Sequence, residues 1–268
     1  MKTRCAVFAI AGWLLPAAAI GAPAFDVSRL DEPAEAGPLV REAEEYTRGL
    51  RHEPKSAVLH ARRGATYFRL REFDRAIEDF TRAIALDARL DEAWFGRGMA
   101  RGRSGDLEGA VADLGVYIER HPRSSVAYTK RGIRHLWNGD LDRAEADFER
   151  AIEIDPRNAE AHDDLGVIHA QRGDYAGAER HFRATIEHDP SYQKAHHNLA
   201  MVHYIQDRNL PALQAVERSL RLRPDARDSL LLKSAILEAL GRPREAQAAR
   251  EEAEFLPPGD SSERMSVR

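Results

Sequence analysis

The sequence repeats itself every 34 residues from position 57 to position 256, and this period constrains the fold more than any other feature. Aligned without gaps, the six units begin at Ala57, Asp91, Ser125, Ala159, Gln193 and Arg227. The eighth column is always small: Gly64, Gly98, Gly132, Gly166, Ala200 and Ser234. The twentieth column is alanine in every unit: Ala76, Ala110, Ala144, Ala178, Ala212 and Ala246. Such a period predicts stacked supersecondary units that share one continuous core.

Two further columns indicate that each unit is a pair of antiparallel helices. The twenty-fourth column is mostly large and apolar, with Phe80, Leu114, Phe148, Phe182 and Val216. The thirty-second column holds Pro122, Pro156, Pro190, Pro224 and Pro258. Small residues let two backbones approach, the large side chain fills the space beside them, and proline ends the second helix. Gly105, Gly139, Gly173 and Gly241 fall between the helices, where a left-handed residue ends the first one.

These columns resemble the tetratricopeptide-repeat (TPR) family over about 200 residues. The resemblance implies an all-α, right-handed superhelix of about six helix–turn–helix repeats, whose first helices line a concave groove. The repeats are expected at 57–90, 91–124, 125–158, 159–192, 193–226 and 227–256. The sixth carries Ser234 and Arg250 at core columns, as expected of a terminal repeat. Extending the period backwards predicts a capping helix over 38–54 behind a linker over 25–37, and residues 257–268 are predicted to be a disordered tail.

The N-terminus predicts export from the cytoplasm. Lys2 and Arg4 precede a nearly continuous apolar run from Cys5 to Ile20, and Ala22-Pro23-Ala24 offers a cleavage site before Phe25. This is the pattern of a secretory signal peptide over residues 1–24. A membrane anchor is the alternative, but the apolar run is short of the ~20 residues that span a bilayer. We therefore expect a periplasmic protein, or a secreted one, whose sole cysteine leaves with the signal.

An arginine and an aspartate recur together in the first three units. The seventh column holds Arg63, Arg97 and Arg131, and the twenty-third holds Asp79, Asp113 and Asp147. The fourth and fifth units have leucine at the seventh column and no aspartate at the twenty-third. A partly buried guanidinium needs a carboxylate partner. We expect each arginine to pair with the aspartate of its own unit or of the adjacent one, and a basic ligand-binding column is the alternative.

The eleven histidines also follow the repeat. His60, His162 and His196 share the fourth column, and His135, His169 and His203 share the eleventh. Both columns hold bulky packing residues in the resembled family, so we interpret these imidazoles as packing residues, and expect no metal and no cofactor. The alternatives are a metal site and a response to pH, because histidine titrates near neutrality.

The resemblance also implies which residues face the groove. Apolar side chains occupy its middle, basic ones its early part, and acidic ones its fourth unit, a pattern that suits a peptide segment. The candidate partner-binding residues are Arg62, Phe68, Arg69, Phe95, Met99, Arg103, Lys130, Ile133, Leu136, Trp137, Asp163, Lys194, His197, Asn198 and Tyr204.

The sequence favours a non-enzymatic scaffold. It has no nucleophile elbow, no phosphate-binding loop and no second domain, and its net charge of −4 gives no indication of nucleic-acid binding. We expect an adaptor of the cell envelope that binds a protein or peptide, with no nucleic-acid partner and no membrane contact after signal cleavage. The alternatives are a structural component that assembles by self-association and a histidine-based metal binder.

Overall fold

The structure is a computed structural model that describes residues 24–257. The predicted signal peptide up to position 23 and the predicted tail from position 258 lie outside the described residues. The described part is all-α, with a single 3-10 turn at Val27–Arg29 and no strand. The first α-helix is α1 (Ala36–His52). The repeats follow as α2 (Ala57–Arg69) and α3 (Phe73–Leu86), α4 (Asp91–Ser104) and α5 (Leu107–Arg120), α6 (Ser125–Trp137) and α7 (Leu141–Ile154), α8 (Ala159–Gln171) and α9 (Tyr175–His188), α10 (Gln193–Ile205) and α11 (Asn209–Leu222), and α12 (Arg227–Ala239) and α13 (Pro243–Glu254).

The helix boundaries keep the 34-residue register. Every first helix begins at the first residue of its unit and every second helix at the seventeenth. The turn between them places a left-handed residue at the fifteenth column of all six units. Four of these residues are glycines with φ between 71° and 91°, and the other two are Arg71 and Asp207. Glycine adopts this conformation without the steric cost that a Cβ imposes.

The two helices of each unit approach each other closely at the eighth column, and this contact packs the unit. A Cβ added to Gly132 would lie 2.7 Å from the ring of Phe148, and one added to Gly166 would lie 2.6 Å from the ring of Phe182. Both rings are completely buried. The glycine therefore leaves the space that the aromatic ring of the twenty-fourth column fills.

Unequal contact between neighbouring units curves the array. Each first helix touches the first helix of the next repeat, from α2 against α4 to α10 against α12. The second helices of neighbouring repeats make no comparable contact within the described residues. The first helices therefore lie on the inner, concave side of a TPR superhelix, and the second helices lie on its outer side.

Helix α1 packs on the first repeat as a second helix would. Arg63 donates from Nη1 to Thr47 Oγ1 at 3.0 Å, and Arg97 donates in the same way to Thr81 Oγ1 at 3.4 Å. Thr47 and Thr81 are 34 residues apart, so α1 follows the register of the repeats. It begins at Ala36, two residues inside the stretch that we predicted to be a linker.

The recurring arginine and aspartate pair within each repeat, which decides between the two pairings that the sequence left open. Arg63 binds Asp79, Arg97 binds Asp113, and Arg131 binds Asp147 through two parallel bonds of 2.7–2.8 Å. The three aspartates are only 2–5% exposed. Two-bond pairing of a fork-shaped guanidinium with a buried carboxylate fixes the relative position of the two helices. These three arginines are therefore paired within the protein. None of them is left free to form the basic ligand-binding column that was the alternative.

We expect Asp113→Ala to destabilise the fold strongly, because it leaves the buried Arg97 guanidinium without its carboxylate. The loss is about 3–5 kcal/mol in the free energy of unfolding, measured by urea denaturation and by the melting temperature. Replacing both partners, as Arg97→Leu with Asp113→Ala, copies the pair found in the fifth repeat, Leu199 and Ala215. This double variant should recover most of the loss, and an unchanged melting temperature of the single variant would contradict the structural role.

Candidate peptide-binding groove

The chain's own N-terminal segment, Ala24–Glu35, lies on the concave face of the first three repeats. Arg62 donates from Nε to the carbonyl oxygen of Ala24 at 2.9 Å. The backbone N–H of Ala24 donates to the carboxylate of Glu92. These two residues belong to the first helices α2 and α4. Most of the stretch that was predicted to be a linker over 25–37 is therefore docked on the repeats.

Apolar side chains hold the N-terminal segment down. Leu30 is 3% exposed and belongs to the same buried cluster as Phe68, Phe95 and Met99. The ring of Phe25 packs at 5.9 Å, between centroids, from the ring of Phe80. Burying a leucine and an aromatic side chain stabilises such a contact by ~1.5–3 kcal/mol each.

One carboxylate anchors the far end of the segment. Asp31 lies 3.1 Å from Lys130 Nζ and 3.4 Å from Arg103 Nη2. Burial opposes the ionisation of Asp31, but the charges of Lys130 and Arg103 outweigh it and lower its pKa. Lys130 also donates to both oxygens of Glu160, at 2.8 and 2.9 Å. The segment is thus recognised by backbone, apolar and charged contacts together.

A buried arginine lies beside this anchor. Arg134 is 2% exposed, its Nε has no hydrogen-bond partner among the described residues, and its Nη2 contacts Met99 Sδ at 3.4 Å. Its guanidinium lies 5.0 Å from the centre of the Trp137 ring. Burial and the nearby charge of Arg103 lower the pKa of Arg134 to about 10. The middle of the groove therefore carries positive charge that the protein compensates only in part.

The predicted apolar strip is not an open surface. Phe68, Phe95, Met99, Ile133 and Leu136 are all buried in the repeat core. Phe68, Phe95 and Met99 belong to the same buried cluster as Leu30 of the N-terminal segment, and Ile133 and Leu136 belong to the cluster of the third and fourth repeats. Trp137 is half-buried under Arg134. With the segment in place these five residues are not exposed, and their contact with a partner stays a prediction.

The basic candidates lie where the sequence placed them. Arg62, Arg103 and Lys130 all contact the N-terminal segment, and Arg69 lines the cavity of about 220 Å³ between that segment and helix α2. These side chains are partly exposed. The sequence gave no sign that the chain itself occupies this part of the groove, and binding of a partner by these residues stays a prediction.

The later part of the groove, in the fourth and fifth repeats, carries buried polar groups and no segment of the described chain. Asp163 accepts a bond of 3.2 Å from Asn198 Nδ2, and His197 Nδ1 lies 2.9 Å from Ser229 Oγ. All four of these residues are buried. Lys194 and Tyr204 are partly exposed beside them.

The histidines of the fourth column bind the preceding repeat. Nε2 of His162 lies 3.2 Å from the carbonyl oxygen of Pro156, and Nε2 of His196 lies 3.2 Å from that of Pro190. His60 does the same with Pro54 at 3.4 Å. Each ring thereby satisfies a carbonyl at the end of the preceding second helix. A packing role accounts for these three imidazoles.

Four histidines cluster in the fourth repeat. His181 takes the column where the first three repeats have aspartate, and its Nδ1 lies 3.1 Å from Nδ1 of His162. The ring of His181 also stacks on that of His169 at 5.1 Å, and His162 packs on His188 at 5.7 Å. Burial, followed by the charges of His162 and His169, lowers the pKa of His181 to about 4. Within residues 24–257, no group of three or more His, Cys, Asp and Glu is arranged to hold a metal ion.

Sequence models of the tetratricopeptide repeat match residues 57–89, 92–124, 129–193 and 171–226. Together they cover more than half of the chain, which therefore belongs to the TPR family. This fold is typically a non-catalytic scaffold for interactions between proteins. A comparison with proteins of curated function finds no match.

Solved structures show the same fold. The APC/C hetero-tetramer Cut9–Hcn1 matches with a TM-score of 0.75 and 16% identity over 88% of this chain, which spans only 46% of that chain. A tetratricopeptide repeat protein from Parabacteroides merdae matches with a TM-score of 0.68 and 20% identity, covering 84% of this chain and 90% of that one. YrrB, a TPR protein, matches with a TM-score of 0.54 and 20% identity, covering 70% and 97%. At these identities the similarity concerns the fold alone.

Over residues 24–257, no helix combines the length and the apolar character that a membrane span requires.

We expect the histidine cluster to make stability depend on pH. The pKa of His181 is lowered from 6.5 to about 4 in the folded protein, so between these values the unfolded chain binds more protons. The free energy of unfolding therefore falls as the pH drops from 6.5 to 4. His181→Gln removes this effect, so the stability difference between wild type and variant should shrink by about 1 kcal/mol from pH 7.5 to pH 5, after allowance for partial exposure.

The measurement is urea denaturation at both pH values. His52→Gln, a change of an exposed histidine on α1, serves as the control and should give the same difference at both. A pH-independent effect of His181→Gln would show that its protonation is not coupled to folding.

Proposed function

We propose that this protein is a non-enzymatic adaptor of the cell envelope, which binds a segment of a partner protein in its concave groove. The observation that carries the proposal is the N-terminal segment itself. The groove of the first three repeats holds a stretch of chain through a backbone carbonyl, a buried leucine and a paired carboxylate. A surface that holds one such segment in cis has the shape and chemistry to hold another in trans.

The chemistry of the docked segment defines the kind of partner. Its carboxylate lies in the basic site of Arg103 and Lys130, one residue after the buried Leu30. A competing segment would present an apolar side chain next to an acidic one. YrrB is described as having an unusual peptide-binding site, which is consistent with peptide recognition by a related fold but says nothing of the peptide bound here.

The envelope location rests on the predicted signal peptide over 1–24. Removal of that signal before Phe25 would leave the N-terminal segment in place except for Ala24, whose carbonyl and N–H bind Arg62 and Glu92. Leu30 and Asp31 would remain as anchors.

We expect a labelled synthetic peptide of residues 25–35 to bind the full chain in trans once the cis segment is weakened. In an Asp31→Lys chain, the cis segment places a cation beside Arg103 and Lys130 and should leave the groove. Fluorescence anisotropy should then show binding of the natural peptide at least about ten-fold tighter than to the wild-type chain, where the cis segment competes.

Two peptide variants make this test specific. A peptide with Asp31→Lys should bind the same chain at least about ten-fold more weakly, since it loses a charge-assisted contact worth ~1.5–3 kcal/mol. A peptide with Glu35→Lys, which changes an exposed residue with no side-chain cap bond, should bind like the natural one. Equal binding to both chains, or no binding to the Asp31→Lys chain, would contradict groove recognition of this segment.

A further inference from the structure

We propose that the groove of the fourth and fifth repeats contains a binding site for a primary ammonium group, formed by Asp163, Asp164 and Asn198. The inference deepens the proposed function, because the ammonium group would belong to the bound partner. It is carried by different residues from those that hold the N-terminal segment.

The first observation is an excess of acceptors at one place. Asp163 is 2% exposed, and among the described residues its carboxylate accepts a single side-chain hydrogen bond, from Asn198 Nδ2 at 3.2 Å. Asn198 is 1% exposed, and its Oδ1 is buried with no donor among the described residues. A buried amide oxygen without a donor costs ~1–3 kcal/mol, so it marks a place where a donor is missing.

The second observation is a neighbouring carboxylate that is also unpaired. Asp164 makes no hydrogen bond and no ion pair within residues 24–257, and it is only partly exposed. Burial and the charge of Asp163 hold the pKa of Asp164 well above its usual value. Burial likewise raises the pKa of Asp163 to about 7. Both carboxylates therefore lack the compensating cation that a buried acid requires.

The cations nearby do not fill the place. Lys130 and Arg134 act on Asp164 through their charges, but neither forms an ion pair with it among the described residues, and Lys130 is engaged by Glu160 and Asp31. Lys194 acts on Asp163 and Asp164 through its charge but lies beyond 4 Å of either carboxylate, within no salt bridge of the described chain. No cation of the described residues therefore forms an ion pair with Asp163 or Asp164, and the partly exposed Asp164 is the side from which a ligand would reach the site.

The site matches an ammonium group in number and kind. An ammonium carries three N–H donors and no acceptor. Asp163 and Asp164 in their ionised form, together with Asn198 Oδ1, offer three acceptor groups, and a bound ammonium would favour that form. Tyr192 lies close enough for the charges of Asp163 and Asp164, after burial, to raise the pKa of its hydroxyl group.

The ammonium group could come from a lysine side chain or from a free N-terminus of the partner. Nα-acetyl-lysine N-methylamide represents the first source and alanine N-methylamide the second. Titration of the 15N-labelled full chain, with the side-chain amide of Asn198 as reporter, should show saturable binding of at least one probe with a Kd on the order of 1 mM. The tighter probe identifies the source.

Matched controls separate this site from nonspecific charge attraction. Nα,Nε-diacetyl-lysine N-methylamide, which has no charge, should leave the Asn198 amide unchanged. Asp163→Asn and Asp164→Asn should each weaken the lysine probe at least about ten-fold, whereas Glu187→Gln, a change of an exposed carboxylate in the same repeat, should not. Equal binding of the uncharged probe, unchanged affinity of both aspartate variants, or no binding of either amine would overturn the proposal.

Two further measurements exclude a purely internal role. Asp164→Asn should leave the melting temperature at pH 7.5 unchanged or raise it, since it replaces an unpaired carboxyl group whose ionisation the site disfavours. A fall of several degrees would show that Asp164 is paired within the protein and would overturn the proposal. Binding that appears only in a Lys194→Met chain would show that the Lys194 ammonium group itself fills the site, and it would also overturn the proposal. Neither result depends on whether the peptide of residues 25–35 binds, so this site and the proposed function can fail separately.

Discussion

The close approach of two helices at one glycine or alanine column is the constraint on which the rest of the structure depends. A ring such as Phe148 fits only because Gly132 has no Cβ, and the same fit recurs with Gly166 and Phe182. The fixed fit sets the angle between the helices of a unit, and repetition of that angle curves the stack. Curvature in turn places the first helices on the inside, so the groove follows from the size of one side chain.

Buried charge distinguishes the two halves of this groove. In the first three repeats the buried aspartates are matched by arginines through two bonds each, which secures the helix pairs. In the fourth repeat the matched pair is gone, and histidines fill its place on the outer side, while Asp163 and Asp164 remain uncompensated on the inner side. A charge buried without its partner costs stability, and proteins tolerate that cost most readily where a ligand supplies the partner.

The period made the architecture predictable, because a residue's column determines its surroundings. Helix starts, the left-handed turn residues and the small columns could all be derived from six aligned units. The docking of Leu30 and Asp31 could not, since residues 25–37 have no period and their proline and acidic composition resembles a free linker. The sequence also could not show which groove residues are exposed, because Phe95 and Met99 lie at inward-facing columns but are buried in one cluster with Leu30 of the docked segment. The sequence also left open whether Arg97 pairs with the aspartate of its own repeat or of the next one, and only the atomic distances decide this.

The rings of the fourth column have a consequence for how the repeats depend on one another. His60, Trp94, His162 and His196 each bond a carbonyl of the preceding unit, and so couple neighbours directly. At the junction of the second and third repeats, Tyr128 instead bonds Arg150, and that direct link is missing. The N-terminal segment crosses this same junction, with Asp31 between Arg103 and Lys130. The N-terminal segment therefore adds a contact between two neighbouring repeats that lack this bond. If a partner displaces the segment, occupancy of the groove and the cooperativity of unfolding are thermodynamically linked.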